Sequence, residues 1–301
     1  YFARGSDHHL QIQAGIALAC IILFGLRYLW LLVPCQILRA LILLGPSPQA
    51  LLHAQTEILF IILTYVLLRS FRFTASFGGH RDVLRLFFCV LIGSTLSVSL
   101  SSMTGAIAFG VSGQTGTSLP DRLSALYLGA IVSAPLVWNL WLRPIDSGKT
   151  KHIAQGYLAV SAFVLLTVRV YSMDFRNEQP ETHFLVISMF CGAWALYRIG
   201  LRGAVLLNVG YVLTALWGTR AGYGPLAFAY PSEAHGVVVI YGAAACLISL
   251  VLACMVRERS LVAEETGHGE RYFKRLIESA TDNVAVIEAN GVIRYENRAV
   301  E

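Results

Sequence analysis

Charge is what this sequence has least of. Asp, Glu, Lys and Arg together make up 14% of its 301 residues, against roughly 25% in soluble domains. Apolar residues make up 56%. A core of this size cannot hide that surplus from water, which excludes a single soluble domain, a disordered chain and a nucleic-acid binder. The net charge of +5 identifies no anionic partner by itself. Paired cysteines are lacking as well. Cys20, Cys35, Cys89, Cys191, Cys246 and Cys254 lie inside apolar stretches with no Cys-x-x-Cys spacing. They read as small packing residues within a membrane, not as disulfides or a metal site. No His-Glu-x-x-His, Gly-x-Ser-x-Gly or paired-carboxylate pattern occurs, so an intramembrane protease or hydrolase has no support. Gly110, Gly113 and Gly116 have neither a preceding strand nor a following Lys-Ser/Thr, and read as loop flexibility instead of a phosphate loop. No cleavable signal peptide is visible, and a start at Tyr1 reads as a piece of a longer protein.

What is present is long apolar runs. A helix needs roughly 20 apolar residues to cross the hydrocarbon layer. Leu51–Ser70, Val83–Phe109, Arg122–Leu142, Ile153–Tyr171 and Val237–Met255 meet that plainly. Leu10–Leu44 and Phe184–Trp217 are longer and break at Gly25-Leu26-Arg27 and Gly200-Leu201-Arg202. If each splits in two, the expected total is nine spans. Basic residues test that count, because cytoplasmic loops collect Lys and Arg. With the C-terminus inside, the inner connections hold Arg27, Arg69, Arg72, Arg81, Arg85, Arg143, Lys149, Lys151, Arg198, Arg202, Arg257 and Arg259. The outer ones hold only Arg122, Arg176 and Arg220.

Aligning the two Gly-Leu-Arg breaks also matches Leu31, Leu32, Leu38, Ala40 and Leu41 with Leu206, Leu207, Leu213, Ala215 and Leu216. Chance and a parallel internal repeat both remain open readings of this match. The Ser and Gly content of Gly93–Gly110 suits close helix approach in lipid. Trp30, Trp138, Trp141 and Trp217 fall near span ends, where aromatic belts sit. Asn139 and Asn208 are expected to form hydrogen bonds between helices.

Composition changes after Met255. Arg257 to Glu265 is charged, lacks Gly and Pro, and favours helix. It reads either as a solvated linker or as a continuation of the last membrane helix, with Arg257, Glu258, Leu261 and Val262 as candidate relay residues. Gly267-His268-Gly269 is expected to loosen the chain. Phe273, Leu276, Ile277 and Ala280 have helical spacing. Val284–Ile287 and Val292–Tyr295 read as strands joined through Asn290-Gly291.

That tail, through Phe273, Ile277, Glu278-Ser279-Ala280, Asp282, Val286-Ile287, Asn290-Gly291, Ile293 and Asn297, resembles the start of a PAS domain. Residues that would bind a PAS cofactor lie beyond Glu301, so no cofactor is indicated. The preceding part resembles the type-one membrane-associated sensor domain of bacterial signalling proteins. The resemblance rests on Ala14-Gly15-Ile16-Ala17-Leu18-Ala19, Phe24-Gly25-Leu26-Arg27-Tyr28, Leu126-Tyr127-Leu128-Gly129-Ala130, Ala134-Pro135-Leu136, Tyr197 to Gly203 and Gly222-Tyr223-Gly224-Pro225. That family usually has Trp-Pro before its first Gly, where this chain has Gln11-Ile12-Gln13-Ala14, and a preceding membrane helix.

The resemblance implies a sensory input module of the bacterial inner membrane with its C-terminus in the cytoplasm. Outputs of such modules are histidine kinases, diguanylate cyclases or cyclic-di-GMP phosphodiesterases, usually as homodimers. The expected fold is an all-α polytopic membrane bundle of about eight to nine spans over residues 1–256. A signalling-helix linker (257–270) and the truncated N-terminal part of an α/β PAS domain (271–301) follow. Expected partners are membrane lipid, an unknown small-molecule or membrane-state signal, and a second copy, with no nucleic acid.

Ionisable residues inside spans are costly and therefore functional candidates. Arg39, His53 and Glu57 fall in the outer thirds of their spans, and Arg169 near the outer end of its own. His53 and Glu57 are four apart and share a helix face. Two readings stand. Glu57 and an arginine neutralise one another as packing glue while Arg169 snorkels to the surface, or Arg39, His53, Glu57 and Arg169 hold a small ligand. A transporter-like binding module and a passive anchor that dimerises an output domain are the competing functions.

Overall fold

The computed structural model describes residues 11–74, 77, 79–109, 119–142, 150–173, 182–229, 234–278, 285–287, 291 and 293–296. Lipid offers no partners to backbone amides and carbonyls, so apolar stretches of this length satisfy them internally as helices. Ten form: α1 (Ile12–Phe24), α2 (Leu29–Leu44), α3 (Pro48–Ser70), α4 (His80–Phe109), α5 (Leu119–Leu142), α6 (Thr150–Tyr171), α7 (Thr182–Ile199), α8 (Leu201–Arg220), α9 (Gly224–Ala229) and α10 (Ala234–Glu278).

Both expected breaks are present. Gly25 has φ +90° and is followed by a 3-10 turn over Leu26–Tyr28; Gly200 has φ +54° and leads directly into α8. A positive φ is open to glycine at little steric cost, which is why the chain turns at these two places. Ser47 caps α3, its hydroxyl accepting from Ala50 N at 3.3 Å, with Pro48 at the first helical position.

Seven helical segments among the described residues are long and apolar enough to cross a membrane: Leu26–Leu44, Pro48–Ser70, His80–Ile107, Arg122–Trp141, Ala154–Tyr171, Leu201–Arg220 and Gly236–Arg259. The architecture is that of a multi-pass membrane protein. Eight to nine spans were expected; α1 and α7, which precede the glycine breaks, are not among these seven. The 13 residues of α1 rise only about 20 Å, well under the ~30 Å hydrocarbon layer. The 18 residues of α7 lie at the short end of the range that spans a bilayer.

The chain divides into two compact units, Tyr1–Met255 and Val256–Glu301. In the first, α1 packs on α5 and α3, α2 on α3, α3 on α4, and α4 on α5. The α5 helix also meets α8, and α6 lies against α7 and α8. Small residues permit the α1–α5 crossing: a Cβ added to Gly15 would sit 2.7 Å from Ala130 Cα, and one on Gly129 would sit 2.6 Å from the Gln11 carbonyl oxygen. Ser133 Oγ donates to Ile12 O at 2.9 Å and to Gly129 O at 2.7 Å across the same seam. The α3–α4 pair is built alike, with Gly93 against Thr64 and Gly105 against Leu52. Such contacts do in lipid what the hydrophobic effect does in water.

Trp138 is a correction to the belt of aromatics. It is fully buried, donates its indole N–H to Ala19 O at 3.2 Å, and packs with Phe73 and Phe77. Trp30, Trp141 and Trp217 are exposed, as expected. Asn208 accepts from Ser249 Oγ of α10 at 2.8 Å, while Asn139 Oδ1, though buried, has no partner. All six cysteines are free. The Gly110–Gly116 stretch lies outside the described residues.

The expected loosening at Gly267-His268-Gly269 does not occur: α10 runs 45 residues without a break, through the whole of 257–270. Each glycine costs about 1 kcal/mol relative to alanine, and the Glu and Arg residues on both sides favour helix. In the second unit, β1 (Ala285–Ile287) pairs antiparallel with β2 (Ile293–Glu296). The register is Ala285 opposite Glu296, Val286 opposite Tyr295 and Ile287 opposite Ile293, with an irregularity between Val286 and Ile287. Gly291 (φ +84°) lies between the strands; Asn290 lies outside the described residues.

Candidate functional site

Three of the four ionisable residues singled out within spans converge, and α3 is the element that gathers them. Glu57 lies midway along α3 with its side chain fully buried. Arg39, near the end of α2, places Nη2 2.5 Å from Glu57 Oε1, and His53, one turn earlier on α3, places Nδ1 3.6 Å from the same oxygen. The Arg39 guanidinium is steadied by its own helix, Nε donating to Gln36 Oε1 at 3.2 Å. Arg39 and His53 are about a quarter to a third exposed, so the cluster opens on their side.

Two glutamines complete it. Gln13, in the first turn of α1, donates Nε2 to Glu57 Oε1 at 3.2 Å. Gln11, just ahead of that helix, lies with Nε2 3.3 Å from His53 Nε2. Both glutamines belong to the Gln11-Ile12-Gln13 sequence that opens α1.

A second layer adjoins on α3, α4 and α5. Arg122 donates Nη2 to Thr56 Oγ1 at 3.2 Å, and Thr56 in turn donates to Ser101 Oγ at 2.7 Å and Leu52 O at 2.8 Å. Gln55 bonds Thr104 at 3.1 Å. Arg122 has no carboxylate partner among the described residues, and both it and Arg39 are close enough to His53 to act on it electrostatically. The site therefore holds two guanidinium groups and one carboxylate.

Satisfaction is uneven. Glu57 Oε1 takes Arg39 and Gln13, whereas Glu57 Oε2 is buried with no partner among the described residues, as are Gln11 Oε1 and His53 Nδ1. An unpaired buried carboxylate oxygen is expensive in a low-dielectric setting. No group of three or more potential metal-ligating side chains occurs among the described residues. Arg169 stands apart: it is exposed in the last turn of α6, a helix that packs on α7 and α8. Arg257, Glu258, Leu261 and Val262 all lie within α10.

Sequence reasoning missed Gln11, Gln13 and Arg122. The glutamines carry no charge and flank a helix start, and Arg122 sits at a span end, where arginine usually snorkels to the surface. The one available signal was the pair of glutamines two apart opening an otherwise apolar run. Comparison with family models, with curated proteins and with solved structures finds no match for this chain.

Proposed function

We propose that this chain is a membrane-embedded sensory input module of a bacterial signal-transduction protein, with the C-terminus cytoplasmic and the start of a PAS domain after the last span. The Arg39–His53–Glu57 cluster receives a small-molecule signal from the outer side, and α10 relays the change to PAS and to an output domain of the kinase or cyclic-di-GMP class. A second copy pairs with it there. The observation that carries the reading is the buried carboxylate of Glu57, held on one oxygen by α1 and α2 and left open on the other. A polar group so costly in lipid is an element that a ligand can bias between two states. Support for the relay comes from the unbroken helix of α10 through Arg257, Glu258, Leu261 and Val262.

Inserting one to four residues after Arg259 in the intact protein tests the relay. Output that rises and falls with the helical period supports it; a flat response removes it. A second reading, a transporter-like binding module, draws on the broken helix pairs at Gly25 and Gly200, since discontinuous helices surround substrate sites in many carriers. Flux of a bound solute in proteoliposomes would decide for that reading. Unchanged signalling after replacing residues 1–256 with an unrelated anchor would leave only an anchoring role.

A further inference from the structure

We propose that α2 is a hinged arm, latched to α3 by the Arg39–Glu57 ion pair and able to lift from α3 when that pair is broken. The arm is inferred from contacts and hinges; that its release carries the signal rests on reading the Glu57 cluster as the signal site. Of the 16 residues of α2, only Gln36 and Ala40 are buried, whereas α8, the second helix of the other broken pair, buries ten of its 20. What α2 lays on α3 is small and smooth: Ala40 clusters with Ala50 and Ala54, with Ile37 and Leu41 at the margin. Lipid tails replace such contacts without a hydrophobic penalty, so apolar packing of this extent holds two helices only weakly in a membrane. The polar tie then decides, and between α2 and α3 that tie is Arg39 Nη2 on Glu57 Oε1.

Both ends of the arm can turn. Gly25 (φ +90°) precedes its 3-10 turn, and Gly45 (φ +69°) follows its last residue. A Cβ at either would meet nothing within 4 Å, so neither glycine serves close packing and each serves the backbone. Pro34 lies between them and removes one helical hydrogen bond, which is where helices bend. The latch can open without stranding its cation. Arg39 is 26% exposed and keeps Gln36 Oε1 of its own helix as an acceptor at 3.2 Å, so a lifted arm still has its charge hydrogen-bonded. Glu57 keeps Gln13 of α1. A signal that neutralises Glu57 or takes Arg39 therefore moves the arm between two positions, the differential contact a switch requires. The α8 helix lacks this freedom: Ser249 Oγ of α10 donates to Asn208, and the Tyr171 carbonyl of α6 closes tightly on Gly218.

The test uses the full chain in nanodiscs, with paired nitroxides on ketone-bearing residues so that the native cysteines stay untouched. One pair sits at Leu38 of α2 and Leu96 of α4, and the control pair at Leu213 of α8 and Leu96; all three side chains are exposed. Pulsed electron–electron distance measurement should find one population for each pair in the native sequence. In Glu57→Gln we expect a second Leu38–Leu96 population, longer by about 5 Å and comparable in size to the first, with the control pair unchanged. Arg39→Ala combined with Glu57→Gln, which leaves no stranded charge, should match it. Arg39→Lys, which keeps a cation opposite Glu57, should stay mostly at the short distance. A single unshifted Leu38–Leu96 distance in both neutralised variants would overturn the proposal, and so would an equal broadening of the control pair, which is general loosening. Release of the arm with unchanged output from the intact protein would leave the arm standing and remove the cluster as the signal site; a fixed arm in a protein whose output still depends on Glu57 would remove the arm alone.

Discussion

The helix pair at Gly25 and the helix pair at Gly200 share a Gly-Leu-Arg break and differ in the polar residues that follow it. When the glycines are aligned, Ala40 and Ala215 are both buried and Leu38 and Leu213 are both exposed. The second helix of each pair therefore turns the same face to its neighbours. Where α2 carries Gln36 and Arg39, α8 carries Tyr211 and Thr214. In the first pair these residues build a charged cluster with Glu57. In the second, Tyr211 meets Tyr171 through their hydroxyls at 3.4 Å, and Thr214 bonds back to Gly210 O at 2.6 Å. One pair pins a charge in lipid while the other closes its polar groups on neutral partners. The second pair holds together without a charged cluster, so such a cluster is not a requirement for packing two helices of this kind in lipid.

The largest break in that comparison is expected at Arg39. Arg39→Ala strands the Glu57 carboxylate and should lower stability by about 3–5 kcal/mol, whereas Thr214→Ala at the aligned position should cost under about 1 kcal/mol. Equilibrium unfolding in mixed detergent micelles measures both. Adding Glu57→Gln to Arg39→Ala should recover most of the loss, since the orphaned charge is then gone; failure to recover would mean that Arg39 acts through shape and not charge. Next comes Gly15→Ala in α1, where the new methyl meets Ala130 Cα at 2.7 Å, at about 2 kcal/mol. In α7, by contrast, Gly192→Ala faces its nearest atom at 3.4 Å and should stay within about 0.5 kcal/mol. A smaller effect, about 1 kcal/mol each, is expected for Gly25→Ala and Gly200→Ala, where positive φ and not space is the obstacle. Smallest is Ser249→Ala, which removes the α8–α10 hydrogen bond for about 0.6 kcal/mol.

Much of the framework was legible because lipid imposes a simple grammar. Apolar runs became helices, and the glycines preceding Leu-Arg became breaks because no other residue takes a positive φ so readily. Arg39, His53 and Glu57 announced themselves as charges where charges are costly, and helical spacing alone put His53 and Glu57 on one face. What stayed hidden depended on partners far along the chain. Trp138 looked like a belt residue because its depth is read from span ends, yet it is enclosed by α1 and by Phe73 and Phe77. Gln11 and Gln13 could not be connected to Glu57 without knowing that α1 lies against α3. Gly267 and Gly269 misled for the opposite reason: local punctuation lost to the helix-forming residues on either side. Of the expected spans, α1 alone is plainly too short, because a run of apolar letters says nothing about where within it the helix stops.

The seam between α1 and α5 has a consequence for how the protein is made. Ala19 accepts the Trp138 indole N–H from a residue 119 positions later, a delay of about 6–24 s at ordinary elongation rates of 5–20 residues per second. Throughout that interval α1 is a 13-residue apolar rod with its small-residue flank bare. Insertion of this protein therefore leaves the α1 flank that packs on α5 uncovered until Trp138 is made, and any slowing of the ribosome between the codons for Ala19 and Trp138 lengthens that window.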